Sequence, residues 1–107
     1  MAGVCVIVAY RPKPGREQDL LDLVRRRVPT LAREGLVTDR TPVIMRAKDG
    51  TLIEVSEWKS PQAIEEAHRN ENVWALWQKF FELCDCVPLN TVGESAEMFA
   101  GFEPVET

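Results

Sequence analysis

An α+β domain with the order strand, helix, strand, strand, helix, strand is predicted by three features of the sequence. Val4 to Tyr10 is an apolar, β-branched opening run. Asp49-Gly50 stands between two alternating runs, a strong hairpin signal. Two segments, beginning near Arg16 and Val73, repeat apolar residues at helical spacing. With 107 residues and 45% hydrophobic content the chain reads as one domain over 1–107, with 94–107 as a C-terminal tail.

The first strand, Val4 to Tyr10, is apolar on both parities, so it is expected at the centre of a sheet and covered on both faces. Arg11 to Gly15 breaks it, and Leu20, Leu21, Val24, Val28 and Leu31 then mark one buried helix face. Pro29 should kink that helix or end its first segment, and Gly35 supplies the stop. Val43 to Ala47 and Leu52 to Trp58 form the hairpin. With a two-residue loop Ala47 faces Leu52, Met45 faces Glu54 and Val43 faces Ser56, on the side that Trp58 shares. Ser60 is a good N-cap and Pro61 suits the first helical position. A short helix over Ala63 to Arg69 and a longer one over Val73 to Cys84 follow, then a last strand over Leu89 to Val92. Met98, Phe99 and Phe102 give the tail an apolar character, which requires a surface to lie on. This order is that of a ferredoxin-like βαββαβ sheet with helices on one face. The other sheet face is left without a cover from this chain, so a second copy is expected to complete a two-fold dimeric α/β barrel.

Composition narrows the function. The net charge is −4, and the one basic cluster, Arg25-Arg26-Arg27, points in three directions around a helix, which disfavours nucleic acid as a partner. The longest apolar run is far below a membrane span, so the protein is expected to be soluble and cytoplasmic. Cys5, Cys84 and Cys86 lack CxxC spacing and are expected as buried, reduced thiols. No GxGxxG, Walker loop, nucleophile elbow or metal-spaced cluster occurs, and no cofactor is expected.

The run Val-Ile-Val-Ala-Tyr, then Pro14-Gly15-Arg16-Glu17, Glu57-Trp58-Lys59-Ser60-Pro61-Gln62-Ala63 and Ala67-His68, resembles antibiotic biosynthesis monooxygenase-like domains of the dimeric α/β-barrel superfamily over about residues 3 to 93. The resemblance implies a homodimer with a pocket between sheet and helices in each subunit. It also implies that a phenolic or quinol-type substrate reacts with dioxygen without a cofactor. The haem-degrading relatives carry an Asn on the first strand and a haem-ligating His about ten residues beyond His68. Here the strand lacks Asn and the later position is Gln78, so haem chemistry is disfavoured.

Within that frame His68, the one histidine, is the candidate base, since its ordinary pKa near 6.5 suits removal of a phenolic proton. The alternative is that it packs or caps at a helix end. Trp58 is the candidate stacking wall for a flat ligand, or else a core plug. Glu54, beside Met45 on the mixed hairpin face, must face solvent, an Arg partner or a pocket. Tyr10 is placed to donate to a ligand carbonyl. A non-catalytic homodimeric module holding a small aromatic or lipophilic molecule is the competing reading.

Overall fold

The computed structural model describes residues 3–107 of the chain. Its sheet contains β1 (Val4–Pro12), β2 (Val43–Arg46), β3 (Leu52–Trp58), β4 (Cys84–Val87) and β5 (Glu103–Val105), in the order β4-β1-β3-β2-β5. Every pairing is antiparallel. Helices α1 (Glu17–Arg33), α2 (Pro61–Ala67) and α3 (Glu71–Leu83) complete the ferredoxin-like α+β architecture. Among the described residues no helix is long and apolar enough to cross a membrane.

Helix α1 buries Leu20, Val24, Arg27, Val28 and Leu31 on one face. It runs through Pro29 to Arg33, so of the two outcomes expected there, a kink or an end, the end does not occur. Proline removes one backbone donor, but the buried side chains on either side keep the helix docked. The end at Gly35 is as expected: φ is +73°, the Gly35 N–H reaches Ala32 O, and the Leu36 N–H reaches Leu31 O. This is a Schellman cap, with Leu36 and Leu31 in one apolar cluster. The Ser60 hydroxyl accepts from the Ala63 N–H and opens α2, and the Asn70 side chain accepts from the Asn72 and Val73 N–H groups to open α3.

The hairpin forms with a different register. Ala47 N–H bonds Thr51 O at 2.8 Å, the Gly50 N–H bonds Ala47 O at 3.0 Å, and Gly50 sits at φ +93°. The loop therefore has three residues, Lys48-Asp49-Gly50, with glycine in the left-handed position. Asp49 Oδ1 accepts from the Thr51 N–H and stabilises it. One added loop residue shifts every pair: Ile44, not Met45, stands opposite Glu54, and Met45 pairs with Ile53. Met45 consequently lies on the sheet face away from Glu54.

The expected last strand at Leu89 to Val92 is displaced. Pairing with β1 begins directly at Cys84, and Leu89–Thr91 and Gly93–Ala96 are 3₁₀ turns. The tail adds β5 to the free edge of β2, fixed by Arg46 to Glu103 at 2.7 Å and by Arg25 Nε donating to Glu106 O. This alters the second sheet face. Val92 is buried there with Ala9, Ala47 and Ile53, and Phe102 packs on the same cluster. The chain thus covers half of a face expected to be bare. The row Ile7, Val55, Val43 across β1, β3 and β2 marks the other half, with Ile7 and Val43 about half exposed.

Candidate functional site

The helix-facing side of the sheet carries Val8, Tyr10, Glu54, Ser56 and Trp58, because alternation along β1 and β3 brings these positions into register. Glu54 is fully buried. Its Oε1 accepts from the Tyr10 hydroxyl at 2.9 Å and from Arg27 Nη1 at 3.1 Å. The same Nη1 reaches Ser56 Oγ at 3.2 Å. Above the Trp58 ring, the Arg27 guanidinium carbon lies 5.7 Å from the centroid, within cation–π range. Glu54 Oε2 is buried with no hydrogen-bond partner. Burial pushes the Glu54 carboxyl above its usual range, opposed by Arg27 and the Tyr10 hydroxyl. Burial likewise holds the Tyr10 phenol well above 10, so it remains a donor.

Over this cluster opens a cavity of about 100 Å³. Val8 and Tyr10 of β1 and Cys86 of β4 form its floor, Arg27 of α1 reaches in from the side, and Trp77, Phe80 and Phe81 of α3 form the aromatic wall. Tyr10 stacks on Phe80 with ring centroids 5.0 Å apart, which fixes the phenol. The space is on the order of a single aromatic ring and well below a usual drug-sized pocket. Cys84 and Cys86, two residues apart on β4, project toward the helices beside Pro12 and Tyr10. The neighbouring Cys84 thiol and then Arg27 hold the Cys86 thiol down at about 7. The adjacent Cys86 and burial push Cys84 up. The Cys84 thiol donates to Phe80 O at 3.2 Å.

Two of the residues singled out in the sequence, Tyr10 and Glu54, meet in one bonded cluster, and Trp58 underlies it. Trp58 is 3% exposed and lies outside the cavity lining. His68 caps the C-terminus of α2 on the surface, its Nδ1 2.9 Å from Ile64 O and its ring 5.1 Å from that of Trp77. Trp77 stands between His68 and the cavity, which His68 does not line. Met45 occupies the opposite sheet face. Of the three thiols only Cys84 is buried, while Cys5 and Cys86 are exposed, contrary to the expectation for both. Neither Arg27 nor Cys86 was singled out as a site residue. Arg27 carried a signal: it continues the apolar stripe Leu20, Val24, Val28, Leu31, and a charge in such a stripe implies a buried partner.

Fold and site together define a ferredoxin-like domain whose sheet and helices enclose a small aromatic cavity above buried, paired charges. Residues 3–79 match the family model for antibiotic biosynthesis monooxygenases, and the chain belongs to that family. The match ends inside α3, so β4 with its two cysteines and β5 lie beyond it. No curated protein and no solved structure matches the chain.

Proposed function

We propose that the protein is a small oxygenase that holds a single-ring phenol or hydroquinone in the cavity between β1, β4 and α3 and exposes it to dioxygen. The observation that carries this reading is a buried, incompletely bonded guanidinium in an aromatic-walled cavity. Arg27 bonds Glu54 and Ser56 through Nη1 alone, and among the described residues its Nε and Nη2 carry no hydrogen bond. Those donors suit an ionised phenolic oxygen, and Phe80, Phe81 and Trp77 suit the ring. An electron-rich phenolate supplies the electrons itself: phenol and dioxygen yield a quinone and water, with one oxygen entering the ring and two hydrogens leaving as water. The protein's share is desolvation, orientation and stabilisation of the oxyanion. His68, outside the lining, is given no proton in this scheme.

Oxygen uptake with a panel of single-ring phenols and hydroquinones tests the reading. Uptake is expected with wild type and with His68→Ala. Val8→Phe, which fills the cavity floor, should lower it at least about tenfold, or roughly 1.4 kcal/mol in the barrier. Absence of uptake on every compound, or uptake indifferent to Val8→Phe in a folded variant, sinks it. The competing reading, a non-catalytic homodimer that holds a small lipophilic molecule, is supported by the modest cavity size and by the exposed Ile7 and Val43. It requires saturable binding of such a molecule without oxygen consumption.

A further inference from the structure

We infer that Cys86 is a nucleophilic thiol of this cavity and takes up electrophilic quinone-type rings by covalent addition. Three independent features meet at one point. Cys86 is exposed and stands opposite Tyr10 in the β4–β1 ladder, so its sulfur lies on the cavity floor. Phe80 and Phe81 supply an apolar wall for a ring seated against that sulfur. Arg27, its side chain 7% exposed, lines the same cavity, and its Nε and Nη2, which bond nothing among the described residues, are donors open to an oxygen-bearing ligand seated there. Reactivity is consistent with this placement. Cys84 and then Arg27 favour the Cys86 thiolate, burial and Asp85 oppose it, and the balance brings its pKa to about 7.

The chemistry closes without a further reactant. The thiolate forms a C–S bond to a ring carbon conjugated with a quinone carbonyl, and the displaced π pair moves onto the carbonyl oxygen. Arg27 is placed to bind that oxyanion, which then takes a proton from water. Loss of the proton from the substituted ring carbon restores aromaticity. The ring ends as a thioether-linked hydroquinone: both carbonyls become hydroxyls, the second taking up the proton lost from the ring carbon, that carbon is oxidised in exchanging its C–H for C–S, the sulfur stays at the sulfide level, and the chain gains the mass of one whole quinone. Quinones are also the product class of the oxygenation proposed above, but the addition needs neither dioxygen nor turnover. Cys86 lies outside the family match, so this nucleophile belongs to this chain's own β4.

The test is anaerobic incubation of the full chain with 1,4-benzoquinone at pH 7, followed by peptide mapping by mass spectrometry. The second exposed thiol, Cys5, sits on the other sheet face at the Glu57 pair and serves as an internal reference. Labelling at Cys86 should saturate with quinone concentration, and phenol at about four times its Kd should slow it about fivefold. Cys5 labelling should stay linear in quinone and ignore phenol. The Cys86 rate should rise with pH to a half-maximum near 7, and Cys84→Ala, which removes the neighbouring thiol, should move that midpoint upward while Cys5 labelling is unchanged. Linear, phenol-insensitive labelling of both thiols, or labelling of Cys5 alone, overturns the inference. Because oxygen is excluded, either result leaves the oxygenase reading to its own uptake assay.

Discussion

Arg27 shares one nitrogen between a fully buried carboxylate and a buried hydroxyl, so its charge and that of Glu54 depend on each other. Removing one member leaves the other unpaired in a medium that solvates it poorly, whereas removing both leaves apolar packing. Arg27→Met should therefore destabilise by about 3 kcal/mol or more, and the double variant with Glu54→Gln should recover most of that loss, as read by urea denaturation. The same pair shapes the pH dependence. Burial raises the folded-state pKa of Glu54, so above the unfolded value of about 4.3 the native state holds the proton more tightly than the unfolded chain does. This contribution is fully present below that value and is lost as pH rises through the folded pKa, a falling segment that Glu54→Gln should abolish. The partly buried carboxylate Glu57, held low chiefly by its Arg40 bond, has the opposite slope at more acidic pH. Glu54 was legible in the sequence as a carboxylate needing a partner. Its choice of Arg27 was not, because that depends on how α1 crosses β3.

At the scale of elements, α1 is the clearest case of tertiary contacts outweighing local preference. Pro29 is exposed and interior to the helix, with Val28 and Leu31 buried beside it. Pro29→Ala should restore a backbone donor and relieve the ring clash with the preceding turn without opening a cavity, raising stability by as much as about 3 kcal/mol. A fall in the denaturation midpoint would show that the proline fits a local bend. In the hairpin, Asp49-Gly50 correctly marked the turn, but not whether the glycine occupied the second or third loop position. That single residue decided which hairpin side chains share a face, removing Met45 from the Glu54 side. The last strand was misplaced because Cys84-Asp85-Cys86-Val87 is only four residues long and Cys84 continues the apolar spacing of the helix before it. Its strand state comes from the open edge of β1 that it completes.

For the whole molecule, the sheet face opposite the helices is the surface that a second copy would have to cover. Val92 and, from the tail, Phe102 shield its Ala9–Ile53 part, leaving the Ile7–Val55–Val43 row as the apolar remainder. The exposed Met98 and Phe99 add to the apolar surface of the tail. Pairing through that row is expected to give a homodimer, read as twice the monomer mass by light scattering at micromolar concentration. Ile7→Lys together with Val43→Lys should return the mass toward the monomer. A wild-type monomer under those conditions rules the assembly out.

The sequence by itself determined the ferredoxin-like order of elements, the caps at Ser60 and Gly35 and the helix faces, because these depend on periodicity and on residues whose backbone preferences act locally. It also raised Tyr10 and Glu54 as candidates, since a phenol ending an apolar strand and a carboxylate within an alternating one both require explanation. Only the tertiary structure decided that these two meet Arg27, that Trp58 lies beneath the cluster, that His68 stays at the surface and that Cys86 enters the cavity. Those outcomes depend on strand register and helix docking, where one residue of shift exchanges the inner and outer faces.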